Sequence, residues 1–162
     1  MNRWRKQMAC ALLLVALPLI AAAQEKPKAN DETQKVVLCG HVVCLTEELA
    51  QLYKIKPDCE QRGHAYGLKT NDGKLYSFLP TDSAAAIYED QRVRERELQV
   101  TARLFPQASF IEVIKLQSVR EGKVYDLFYF CEVCNIETHK PGECACCHAL
   151  VEFQEMLPEA HK

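Results

Sequence analysis

The 162-residue chain has no marked excess of charge of either sign, few aromatic residues and a single long apolar run. Its formal charge is −2, so no general basic excess is present to drive nucleic-acid binding. The sequence contains no GxSxG elbow, P-loop, dinucleotide fingerprint or HExxH helix, and so none of the common catalytic motifs. It also lacks internal repeats and low-complexity segments. These absences favour one ordinary globular domain outside the common enzyme classes.

The single long apolar run lies at the N-terminus. Residues 2–6 carry three positive charges and lead into MACALLLVALPLIAAA, residues 8–23. A basic start, an apolar core and small terminal residues are typical of a signal peptide, with cleavage after Ala23. The run is shorter than the roughly 20 residues that a bilayer requires and contains Pro18, which disfavours a retained membrane anchor. We therefore expect export, to the periplasm or out of the cell.

Export would change both the number of cysteines in the mature protein and their expected chemical state. The chain has nine, and Cys10 leaves with the signal peptide, so eight remain in the mature protein. The same cleavage removes three basic residues and no acidic ones, which takes the formal charge from −2 to −5. Outside the cytosol, thiols form disulfides with each other unless a metal ion binds them or a reductant keeps them reduced. The sequence therefore predicts a partner for each cysteine.

The remaining pattern predicts a mainly β domain. Polar residues 24–35 are expected to form a flexible linker. Residues 36–45 are rich in β-branched side chains and predict a strand, and Thr46 begins a predicted helix. Asn71, Asp72 and Gly73 lie between two strand-like runs, which is typical of a hairpin.

The second half of the domain alternates again. One helix is expected over residues 81–93, and period-two alternation then predicts strands over residues 98–104 and 109–119. A Glu121-Gly122 turn leads into a further predicted strand over residues 123–130. A helix between the third and fourth strands is the order of the oligonucleotide/oligosaccharide-binding (OB) architecture. We therefore expect a five-stranded OB-like barrel with one or two short helices over residues 36–120. A small hairpin over residues 121–157 and a tail over residues 158–162 follow it.

Four cysteines near the C-terminus form the strongest chemical signal. Cys131 and Cys134 make one CxxC pair, Cys144 and Cys147 make a second, and a Pro-Gly turn lies between them. Four thiolates in two such pairs can bind one zinc ion at about 2.3 Å per bond. Two alternatives remain open: disulfides, which an oxidising compartment favours, and c-type haem, because Cys144, Cys147 and His148 also satisfy CxxCH.

A second cysteine group lies in the N-terminal half. We expect a disulfide between Cys44 and Cys59, which would tie the long segment after the first strand to the barrel. The alternative is a soft-metal site of Cys44, Cys59 and His64, because thiolate and imidazole suit zinc or copper(I). Cys39 and Cys146 have no assigned role.

Three stretches of the sequence carry a resemblance to known proteins: GHVVCLTEE, CEQRGHAYGLKTNDGKLYSFLPTD and ELQVTARL. They resemble small exported bacterial OB-like domains of unknown function, over roughly residues 36–116. The resemblance implies a periplasmic or surface location and two cysteines corresponding to Cys44 and Cys59. The C-terminal cysteines resemble those of zinc-ribbon and rubredoxin-like knuckles.

Two functions from different classes follow from these patterns. The first is an exported, non-enzymatic binding or assembly module with a structural zinc site, whose partner is a protein or a small ligand rather than a nucleic acid. The second is a periplasmic redox or metal-handling protein that carries haem, iron or copper on its CxxC pairs.

Overall fold

In a computed structural model, described over residues 33–105 and 107–158, the chain is built on one eight-stranded sheet. The mainly β class expected from the sequence is confirmed. The predicted signal peptide and most of the predicted linker lie outside the described residues. The strands are β1 (Gln34–Cys44), β2 (Tyr66–Thr70), β3 (Leu75–Phe78), β4 (Glu97–Phe105), β5 (Phe110–Arg120), β6 (Lys123–Cys131), β7 (Ile136–Thr138) and β8 (Glu152–Met156).

Five of these strands pair into a closed ring in the order β1-β2-β3-β5-β4. The β3–β5 pairing is parallel and closes the ring, whereas the other pairings of the sheet are antiparallel. β1 serves two neighbours, because its first part pairs with β4 and its second part with β2. Gly40 pairs with both, and a Cβ atom there would lie 2.1 Å from the carbonyl oxygen of Lys69. Only glycine permits so close an approach of two backbones.

Most of the apolar core comes from this five-strand ring and the helical segment between β3 and β4. The sequence alternation places one face of each strand inward, as period two requires. The six largest residues with no exposed surface come from the strands and from the helical segment between β3 and β4: Leu68, Ile87, Val93, Leu98, Val100 and Ile111.

The helix predicted to begin at Thr46 is present, whereas the one predicted over residues 81–93 is broken into shorter pieces. α1 (Leu45–Tyr53) and α2 (Cys59–Arg62) follow β1. The single helix expected over residues 81–93 is instead a 3-10 turn (Asp82–Ala84), α3 (Ala85–Glu89) and α4 (Gln91–Arg94). Asp90 separates the last two because its backbone is extended, and its carboxylate accepts the Arg92 backbone N–H at 2.9 Å. An aspartate that caps a new helix in this way ends the preceding one.

β6 joins the five-strand ring to the C-terminal region. β5 and then β7 pair along one edge of β6, and β8 pairs along the other. The guanidinium of Arg96 donates to both carboxylate oxygens of Glu155 in β8, at 2.8 and 2.7 Å. Tyr129 of β6 donates its hydroxyl to Asp90 at 2.8 Å. Among the described residues, no helix is long and apolar enough to cross a bilayer.

Candidate metal centre

Four cysteine sulfurs converge at the far end of β6. The Sγ atoms of Cys131, Cys134, Cys144 and Cys147 all lie within 4.8 Å of one another. Cys131 and Cys144 are buried, and Cys134 and Cys147 are half-buried. The Cys131 and Cys147 sulfurs are 3.5 Å apart, whereas a disulfide bond measures about 2.05 Å. All eight cysteines of the described residues are free thiols, so the disulfide alternative is not formed at this cluster.

The two CxxC turns have the same local structure. In the first, the Asn135 backbone N–H donates to the Cys131 carbonyl at 2.8 Å. In the second, the His148 backbone N–H donates to the Cys144 carbonyl at 2.9 Å. Both residues that follow the pair are left-handed, with φ of 53° at Asn135 and 60° at His148. Each turn therefore presents two sulfurs to the same side, and together the turns supply four.

Backbone N–H groups point at the first sulfur of each turn. The Cys147 and Cys146 backbone N–H groups lower the pKa of Cys144 to about 6. The Cys134 backbone N–H acts in the same direction on Cys131, but burial and the Cys147 and Cys144 thiols leave the pKa of Cys131 raised. Such N–H···S contacts favour the thiolate, which is the form that binds a metal ion.

The second turn is carried by a short hairpin. Backbone hydrogen bonds connect Cys144 N–H to the Ala149 carbonyl at 2.8 Å and Val151 N–H to the Gly142 carbonyl at 3.0 Å.

The pKa of Cys134 is raised by hydrogen bonds with Cys146 and Cys147, then by burial. The pKa of Cys144 is therefore lowered while those of Cys131 and Cys134 are raised, as happens at interacting sites. A cation bound among the sulfurs would stabilise all four as thiolates.

The cysteine segment, residues 131–150, has almost no apolar core of its own. Val133 and Leu150 are 73% and 77% exposed. A small segment without a core needs a cross-link to hold one conformation. The converging sulfurs are the groups that can provide one.

The haem alternative fits this geometry poorly. The sulfurs of Cys144 and Cys147 face the first pair, whereas haem attachment requires them to bond to the porphyrin side chains. The His148 side chain is 79% exposed and its Nδ1 lies 3.7 Å from a carboxylate oxygen of Glu143. The four sulfurs together could hold one metal ion. Cys146 is exposed and stays outside the group.

The second cysteine group, in the N-terminal half, differs from the disulfide expected from the sequence. The Cys44 and Cys59 sulfurs are 3.5 Å apart, so the expected disulfide is not formed in this structure. Ligand atoms of His64 and Glu47 lie within 4.8 Å of the same sulfurs. Sequence reasoning missed Glu47, although it lies three residues after Cys44 in the first turn of α1.

The two thiols of this pair differ in acidity. Burial raises the pKa of Cys44, but the Glu47 backbone N–H, the His64 and Cys59 side chains and the Thr46 backbone N–H together bring it below its ordinary value. Burial, followed by the hydrogen bond and charge of Cys44, raises the pKa of Cys59 to about 11. The pKa values of these two neighbouring thiols are therefore shifted in opposite directions.

Comparisons with protein-family models, curated proteins and solved structures find no significant match to this chain. The family resemblance drawn from the sequence therefore gains no support from them, and the functional argument rests on the chemistry of the cysteine groups.

Proposed function

We propose that this protein is an exported, non-enzymatic binding or assembly module whose C-terminal cysteine segment is closed by a structural zinc ion. The ion is bound by Cys131, Cys134, Cys144 and Cys147. The observation that carries the proposal is the pair of equivalent turns that bring four sulfurs within 4.8 Å of one another. Four protein thiolates complete the tetrahedral shell of zinc and leave no open position for a substrate, which is typical of structural sites.

The five-strand ring supports an OB-like barrel as the scaffold of this module. Its strand order, its parallel β3–β5 pairing and its helical segment between β3 and β4 match a five-stranded, partly open barrel. The N-terminal signal pattern of residues 1–23 supports export to the periplasm or beyond. The partner is a protein or small ligand, since the charge of the mature chain disfavours nucleic acid.

Iron is the alternative ion for the same four thiolates, and it would make the protein a redox rather than a structural component. The absorption spectrum of the purified protein separates the possibilities. A colourless protein with zinc supports the proposal. Visible sulfur-to-iron charge-transfer bands or a Soret band would replace it with the redox function.

The zinc site is tested with Cys134→Ser, and Cys146→Ser is the matched control because it removes a neighbouring thiol outside the group. We expect Cys134→Ser to lose one zinc ion per chain. We also expect protease cleavage within residues 132–150 while the five-strand ring stays resistant. The control should keep both the ion and the resistance. Equal metal content and equal resistance in the two variants would overturn the structural role.

A further inference from the structure

The segment between β1 and β2, residues 45–65, buries little apolar surface. α1 has no buried residue, and Cys59 is the only buried residue of α2. Apolar side chains of α1 face solvent, since Leu52 is 65% and Tyr53 is 72% exposed. A segment of this kind is stable only if something fastens it to the sheet, because apolar burial contributes so little.

Four metal-ligating side chains meet where this segment leaves and re-enters the sheet. Cys44 ends β1, Glu47 lies in the first turn of α1, Cys59 begins α2 and His64 lies two residues before β2. Their ligand atoms all lie within 4.8 Å of one another, and both cysteines are buried. The four residues thus bracket the whole segment.

The presence of the imidazole and the carboxylate distinguishes a metal site from a disulfide. A disulfide uses two sulfurs and needs no other donor, whereas zinc takes four ligands drawn from sulfur, nitrogen and oxygen. Here His64 and Glu47 approach the same point as the sulfurs, and His64 Nδ1 is 3.7 Å from a Glu47 carboxylate oxygen. The imidazole is also stacked on Tyr66 of β2, with ring centroids 5.6 Å apart, which orients it.

We propose that Cys44, Cys59 and His64 bind one borderline metal ion of the Zn²⁺ class, and that Glu47 is a displaceable fourth ligand. This second site differs from the four-cysteine site in access. Side chains of His64 and Glu47 are about half exposed, at 41% and 51%. An open pocket at the surface is lined by Glu47, Pro57, Asp58, Cys59, Glu60 and His64. Its carboxylates attract cations. Because two of its ligands are exposed, we expect the ion of this site to exchange with solvent faster than an ion of the four-cysteine site.

Zinc content of the full-length reduced protein tests this inference. The wild type should bind two ions per chain, and the double variant Cys44→Ser/Cys59→Ser should bind one. Cys39→Ser is the matched control, because Cys39 lies on the same strand outside the group, and it should keep two ions. One ion in the wild type at saturating zinc, or two in the double variant, would overturn the second site.

Two exposed ligands give variants that do not disturb the core. His64→Ala should lower the affinity of the second site for zinc by more than about 100-fold, and Glu47→Gln should lower it by about 10-fold. The affinity of the four-cysteine site should not change. His41→Ala, which removes an exposed histidine of β1, should change neither affinity. Unchanged affinity in His64→Ala would contradict the proposed ligand set.

The two sites can fail separately. Cys134→Ser removes only the four-cysteine site, so cobalt(II) bound to this variant should still give the charge-transfer bands of a two-thiolate site. Absence of those bands would remove the second site and leave the first standing. A Cys44–Cys59 disulfide, found by mass spectrometry of unreduced protein from the exported fraction, would likewise overturn the inference.

Discussion

The five-strand ring and the cysteine segment reach a defined structure by different means. The ring has residues with no exposed surface on strands β2, β4 and β5. The cysteine segment exposes most of its apolar side chains and buries sulfur instead. Burial of apolar surface stabilises by many small contacts, whereas a metal ion stabilises by a few strong bonds made at once. The first region should therefore resist chelators and the second should depend on them.

Truncation of a core residue should produce the largest effect and should fall on the ring alone. Leu98→Ala leaves a cavity in the ring, so we expect it to lower the free energy of unfolding by roughly 2–5 kcal/mol. Val37→Ala, on an exposed position of β1, should change it by less than about 0.5 kcal/mol. Urea denaturation gives both values. If folded Leu98→Ala bound fewer zinc ions per chain than the wild type, the two regions would not be stabilised independently.

The link between the regions should be sensitive to acid through Asp90. Hydrogen bonds from Arg92, together with that from Tyr129, hold the pKa of this carboxyl at about 2 although burial opposes them. A lowered pKa contributes stability above the ordinary value of about 4, and that contribution is lost as the pH falls towards 2. We expect Asp90→Asn to cost about 2 kcal/mol at pH 7, and the difference from wild type to shrink below pH 4.

The control for this effect is Asp72→Asn. Hydrogen bonds from Lys74 and Thr70 lower the pKa of Asp72 to about 2 as well, but this carboxylate is exposed, so water screens its ion pair. Its replacement should have a much smaller effect. A difference between wild type and Asp90→Asn that stays constant from pH 7 to pH 2 would show that Asp90 acts only by packing.

The smallest expected effect concerns His148, which follows the Cys144–Cys147 turn. This residue would be a ligand if the turn attached haem, and would not be one if the turn bound zinc. His148 is left-handed, a conformation that costs a non-glycine residue roughly 1 kcal/mol or more. In a four-cysteine site, His148→Gly should keep the metal and slow its loss to a chelator by a few-fold. Asn135→Gly, the equivalent change in the first turn, should act alike. Loss of the bound group in His148→Gly alone would identify His148 as a ligand.

Local patterns were sufficient to predict the main strands and the four-cysteine group. Alternation predicted β4 and β5, and the Glu121-Gly122 turn predicted the start of β6. The NDG sequence predicted the β2–β3 hairpin, although Gly73 is its only residue with a positive φ, of 83°. The CxxC spacing alone brings two sulfurs to one side of a turn. These features depend on neighbours in the sequence, which is the information that a single sequence contains.

Other features depend on contacts between distant residues. β7 and β8 are three and five residues long and become strands because β6 offers them edges. In β5, Thr101 of β4 pairs with Lys115 and Ala102 with Val113, so Ile114 is skipped in a bulge and the alternation shifts. The convergence of Glu47 and His64 on the Cys44–Cys59 pair arises only when β1 and β2 are adjacent.

The continuity of β6 has a further consequence for folding. Tyr129, which reaches Asp90, and Cys131, the first cysteine of the four-cysteine group, are both buried. Because they are two residues apart in one strand, they face the same way. A slip of one residue in the pairing of β6 would turn both outward and bring Phe130 inward. Metal binding would therefore stabilise only the correct register of β6, because only a correctly aligned chain can present all four sulfurs.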